Sequence, residues 1–90
     1  MEYHGLADLT LKYRSLGGEK SATCSGITVQ LFREPNWRWT VIFHDPTNQA
    51  PLDGLIRAVV RLPDGRRLEG AAERTPNLGG NFTLIEDRER

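Results

Sequence analysis

Hydrophobic and polar residues alternate along most of this chain, and the alternation stops where Pro, Gly, Asn and Asp gather. The rhythm is clearest over residues 56–73, where two alternating runs flank Pro63-Asp64-Gly65. Proline presets φ for the second position of a type I turn, Asp suits the third, and Gly accepts the left-handed conformation that follows. The pattern predicts a hairpin with a three-residue loop closed by a glycine bulge. With Leu62 and Arg66 flanking the loop, Arg61 faces Arg67, Val60 faces Leu68, Val59 faces Glu69 and Ala58 faces Gly70. Opposed residues share a face, so Ile56, Ala58, Val60, Leu62, Leu68, Gly70 and Ala72 make the core side. Arg57, Val59, Arg61, Arg67, Glu69 and Glu73 make the solvent side.

Residues 6–16 fit two periods. Alternation sets Ala7, Leu9, Leu11 and Tyr13 against Asp8, Thr10, Lys12 and Arg14, whereas a helical stripe joins Leu6, Leu9, Tyr13 and Leu16 before Gly17-Gly18. Strand is preferred because the alternation accounts for every polar residue; residues 17–20 then form a turn. Residues 21–32 alternate again, with Ile27, Val29 and Leu31 on one face, and Gly26 marks a bulge that leaves the facing of Cys24 open.

A turn over residues 33–36 leads to a row of Trp37, Trp39, Val41 and Phe43. A loop with an odd number of residues is preferred, pairing Leu31 with Trp37 or Trp39, because a one-residue slip would send the aliphatic row to the opposite face from the tryptophans. Both tryptophans are expected to anchor the core, each ring burying ~150–250 Å² at ~25 cal/mol per Å². Residues 45–54 read as a connection and 74–81 as a loop. Phe82 and Leu84, with Ile85, form a last short strand, and the charged residues 86–90 are expected to fray.

The fold class that follows is all-β: a small antiparallel barrel or sandwich of five to six short strands in a single domain over residues 1–90. The barrel is preferred because closure removes exposed strand edges.

Composition narrows the functional classes. Twelve basic and twelve acidic residues cancel, so there is no overall electrostatic pull toward nucleic acid or an anionic membrane. The single cysteine, Cys24, cannot form an internal disulfide or a cysteine-based metal site, which fits a reducing, cytoplasmic setting. The start of the chain lacks the pattern of a signal peptide, and no apolar run approaches the ~18 residues of a membrane helix, so a soluble protein is expected.

No catalytic constellation stands out. His4 and His44 are far apart without ligand-spaced companions, and Cys24 has no evident activating base. The serines lie in no nucleophile motif, and the glycine pairs fit turns better than phosphate loops. The expectation is therefore no enzyme, no metal and no cofactor. The arginines carry the main surface signal: Arg57, Arg61, Arg66 and Arg67 fall on one hairpin, joined by Arg38 if the preceding hairpin lies alongside. Arg61 opposite Arg67 is a like-charge pair that an anion could relieve, and so could the neighbouring Glu69 and Glu73; internal pairing is preferred.

The run from Val59 to Gly70, followed by Asn81-Phe82-Thr83-Leu84, resembles the first signature of Sm-like RNA-binding proteins. That resemblance implies a base-contacting role for Asn81. It spans about a third of the chain and leaves some 50 residues before the hairpin without a counterpart, so the family is not adopted. The leading expectation is a non-enzymatic protein-interaction module that binds a protein partner or a second copy through a strand edge or loop end. The alternative is a nucleic-acid or nucleotide-binding barrel using Arg57, Arg61, Arg66, Arg67, Arg38 and Asn81.

Overall fold

A computed structural model describes residues 3–44, 54–74 and 81–87. Every regular element among the described residues is a strand: β1 (Tyr3–Ser15), β2 (Gly18–Glu34), β3 (Arg38–His44), β4 (Leu55–Arg61), β5 (Arg67–Arg74) and β6 (Asn81–Glu86). They form a closed antiparallel barrel in the order β1-β2-β3-β6-β5-β4, with β4 returning to β1. The barrel, rather than the sandwich, is the fold.

The β4–β5 hairpin has the expected register, with Arg61 opposite Arg67, Val60 opposite Leu68 and Ala58 opposite Gly70. Its corner closes through Gly65 N–H to Leu62 O at 3.0 Å and Leu62 N–H to Arg66 O at 2.9 Å. Gly65 takes φ 94°, the left-handed conformation that the bulge requires.

β1 settles the ambiguity of residues 6–16 in favour of strand, with Ala7, Leu9 and Leu11 buried. The turn after it is shorter than expected. Ser15 pairs directly with Gly18, so Leu16 and Gly17 alone turn the chain, and Gly18, Glu19 and Lys20 belong to β2. The bulge does fall at Gly26, which has φ 66°. Ala7 pairs with Ile27 but Leu9 pairs with Cys24, so Asp8 faces two residues. That extra residue reverses the parity of β2 and brings Cys24 to the inner face beside Ile27. Asp8 Oδ1 accepts the Gly26 N–H at 3.0 Å and pins the bulge.

The β2–β3 loop is odd, as expected, but its pairing differs. Glu34 pairs with Arg38 around Pro35-Asn36-Trp37, so Leu31 faces Val41 and not a tryptophan. Asn36 and Trp37 both have left-handed φ, 65° and 62°, which ends β2 and turns the Trp37 carbonyl to accept the Glu86 N–H at 2.8 Å. Trp37 is consequently 46% exposed and is not a core anchor. Trp39 is half-buried and packs on the core from its margin.

The core is mainly aliphatic. Leu9, Leu11, Val29, Leu31, Val41, Val60, Phe82 and Leu84 are fully buried, and the Phe43 and Phe82 rings meet at 5.9 Å, tilted by 59°. At Gly70 the backbone of β6 comes so close that a Cβ would lie 1.8 Å from the Ile85 carbonyl oxygen. Glu86, expected in a fraying tail, belongs to β6, and Asp87 is tied to β5 through its N–H to Glu69 O at 2.8 Å. Residues 88–90 and most of the connection at 45–54 lie outside the described residues, as does most of the loop at 74–81.

Candidate functional site

The strand order separates the arginines that the sequence groups together. β3 and β4 lie three positions apart in the six-strand ring, so Arg38 is across the barrel from Arg57 and Arg61. Asn81 starts β6 opposite Ile42, at the end of the barrel away from the β4–β5 turn, whereas Arg66 and Arg67 sit at that turn. Asn81 is buried, and its Oδ1 has no hydrogen-bond partner among the described residues.

Most of the hairpin arginines meet groups of their own chain. Arg57 bonds Asp87 at 2.5 Å and lies 3.7 Å from Glu69. The Asp87 hydrogen bond raises the Arg57 pKa above its ordinary value, against a smaller lowering by burial. Arg67 reaches Glu69 at 2.7 Å, and Arg61 donates to Thr10 Oγ1 at 3.3 Å while standing opposite Asp8 in register. The like-charged Arg61 and Arg67 are thus drawn apart to different partners. Arg66 bonds Asp64 through Nε at 2.7 Å, and the Arg66 backbone N–H donates to Asp64 Oδ1 at 2.9 Å. The backbone bond, foremost, holds the Asp64 carboxyl below its ordinary pKa, and the side-chain bond adds to it.

The end of the barrel at the β4–β5 turn opens into a cavity of 390 Å³. Tyr3, Leu31, Trp39, Leu62 and Leu68 supply its walls, and Arg33, Arg66, Arg67 and Glu86 its charges. Register explains the convergence. Arg33 follows Val29 and Leu31 on the inner face of β2 and pairs with Trp39, while Glu86 follows Phe82 and Leu84 on the inner face of β6. The inner rows of both strands therefore end in a charge at the mouth. Trp39 Nε1–H donates to Glu86 Oε1 at 2.8 Å, which fixes the indole, and the Arg33 guanidinium lies 5.9 Å from its centroid. Tyr3 folds back over Gly5 and donates its hydroxyl to Leu6 O at 2.7 Å.

Sequence reasoning missed Tyr3, Arg33, Trp39 and Glu86 as a group. The available signal was phase: Arg33 and Glu86 are charged residues in step with buried apolar rows. What phase could not reveal is that both rows end at the same opening.

A second feature lies outside the barrel wall. β2 is 17 residues long, but its pairing with β3 begins only at Thr28. Among the described residues, no strand pairs with the outer side of residues 18–27. Over residues 21–25 that edge carries neither charge nor proline.

His4 and His44 are exposed on β1 and β3, with β2 between them. No cluster of three His, Cys, Asp or Glu suited to a metal occurs among the described residues. Among the described residues, fold and surface together define a closed six-stranded β-barrel with a charged, aromatic mouth and an extended edge on β2. Comparison with protein-family models, with curated proteins and with solved structures finds no significant match.

Proposed function

We propose that the protein is a non-enzymatic interaction module that accepts an extended segment of a partner protein along the outer edge of β2. The observation that carries this reading is the edge over residues 18–27, which spans ~33 Å at ~3.3 Å per residue. A strand edge presents outward main-chain N–H and C=O groups to an incoming segment, and strand addition needs little else from the host. Sheet edges are usually blunted by charge, proline or bulges. Here Lys20 and the Gly26 bulge stand at either side of an unblunted run of five residues. The internal ion pairs of Arg57, Arg66 and Arg67 favour a protein partner over a polyanion, because they leave less uncompensated charge on the hairpin.

Successive N–H groups of a strand point to opposite sides. One of Ala22→Pro and Thr23→Pro therefore removes an outward donor while sparing the β1 ladder, and the other cuts that ladder. Thermal melts identify the variant that keeps its fold. Affinity capture from the native lysate should then retain a partner with wild-type protein and lose it with that variant. Protection of β2 amides on binding should map to residues 18–27. Equal capture by both proteins, or protection elsewhere, refutes the edge. Self-association measured by sedimentation and abolished by the same variant would identify the partner as a second copy.

A further inference from the structure

We propose that the barrel mouth binds a small zwitterion, a free apolar or aromatic α-amino acid, with its carboxylate on Arg33, its ammonium on Glu86 and its side chain on the leucines below. The starting point is an unusual pair of charges. Arg33 and Glu86 both approach the Trp39 indole, one near its face and the other at its N–H, yet they form no ion pair with each other. Among the described residues Arg33 has no carboxylate partner, and Glu86 uses one oxygen on the indole and has no partner for the other. Arg66 and Arg67 are different, since each is held by an acid of the same hairpin. Among the described residues, the mouth therefore offers one available cation and one available anion, separated by a fixed aromatic ring.

A ligand carrying a single charge would use half of this arrangement and leave the opposite charge beside it. A zwitterion satisfies both. Its carboxylate can take two guanidinium N–H bonds from Arg33, and its ammonium can donate to the second oxygen of Glu86. Leu31, Leu62 and Leu68 supply an apolar floor, and Trp39 and Tyr3 supply aromatic walls. The volume of 390 Å³ lies toward the small end of ligand pockets, which run roughly 300–1,000 Å³. Charge-assisted bonds at both ends should fix the orientation, while the floor should select apolar side chains over charged ones.

The test uses the full chain carrying Trp37→Phe, so that Trp39 is the sole indole reporter. L-leucine and L-phenylalanine are titrated against N-acetyl-L-leucine, which lacks the ammonium, and L-leucinamide, which lacks the carboxylate, with calorimetry as a second readout. The expected result is saturable binding of both amino acids at about 1 mM or tighter, and at least roughly tenfold weaker binding of the two blocked analogues. Arg33→Gln should weaken L-leucine by roughly tenfold and abolish the preference over L-leucinamide. Glu86→Gln, which can still accept the Trp39 N–H, should abolish the preference over N-acetyl-L-leucine. Thermal melts confirm that both variants fold. No saturable response to either amino acid up to about 20 mM overturns the proposal. So does equal binding of the blocked analogues, or retention of both preferences in the folded variants. These outcomes are independent of the β2 edge, which lies outside the mouth.

Discussion

Gly70→Ala is the most demanding test of the barrel geometry. An added Cβ would stand 1.8 Å from the Ile85 carbonyl oxygen, 2.7 Å from its carbon and 3.1 Å from the Asp87 nitrogen. Ordinary van der Waals contact for a Cβ begins at 3.4 Å, so the end of β6 has to retreat by more than ~1 Å. That movement pulls on Glu86 N–H to Trp37 O and Asp87 N–H to Glu69 O, both 2.8 Å. Overpacking costs typically ~1–3 kcal/mol, and two weakened backbone bonds add ~0.5–1.5 kcal/mol each. Reduced freedom of the unfolded chain returns only ~0.4–1 kcal/mol. The expected net loss is about 3 kcal/mol. Urea denaturation followed by tryptophan fluorescence should show a lower midpoint at unchanged slope, and the melting temperature should fall by ~12–24 °C at ~4–8 °C per kcal/mol. Hydrogen exchange at the Glu86 and Asp87 amides should accelerate. A loss under about 1 kcal/mol with unchanged exchange would show that β5 and β6 can separate without strain, and would refute the close approach.

Gly65→Ala meets no crowding within 4 Å, so its cost should be the left-handed conformation alone, about 1–2 kcal/mol in a urea titration. The Asp64 carboxyl should titrate below its ordinary value by NMR, and Arg66→Ala should leave most of the depression because the backbone N–H is its largest cause. Since folding lowers this pKa, the Asp64 contribution is present above the unfolded value of 3.8 and disappears as pH falls through the folded value, so Asp64→Asn should flatten stability against pH on the acid side of that range. Asn81→Asp places a carboxylate where the side chain is buried and should cost about 2 kcal/mol or more at neutral pH. Burial raises the pKa of that new group, so the penalty is full above the folded value and should shrink as pH falls through it, as thermal melts across the acid range would show.

The mouth explains why some candidate site residues were hidden in the sequence while hairpin residues stood out. Arg66 and Arg67 were conspicuous because they flank a recognisable turn, and their partners Asp64 and Glu69 are within two residues. Arg57 also pairs internally, but with Asp87, 30 residues away, which the alternation of either strand alone cannot disclose. Trp39 and Glu86 are 47 residues apart and meet because β6 inserts between β3 and β5. Trp37 and Trp39 looked equivalent by phase, yet Pro35, Asn36 and the left-handed φ of Trp37 assign one to a turn and the other to the barrel margin.

Local chemistry determined the β4–β5 hairpin and most strand faces, but not the register of β2 with β3. Pro63-Asp64-Gly65 set the β4–β5 register, Gly26 admitted the bulge, and period-two alternation selected the buried faces of β1, β2 and β6 and of β4 from Ala58 onward, Leu55 taking the buried place expected of Ile56 where the β1–β4 register shifts. These depend on turn stereochemistry and on burying one face, both of which are written in neighbouring residues. The tertiary structure alone decided the pairings of β1 with β4 and β3 with β6, hence the closed barrel, the division of the arginines and the assembly of the mouth. Antiparallel backbone hydrogen bonds are nearly indifferent to side-chain identity, so the choice among distant strands falls to the packing of the whole core. The same packing placed β6 against Gly70 and put Glu86 beside Trp39.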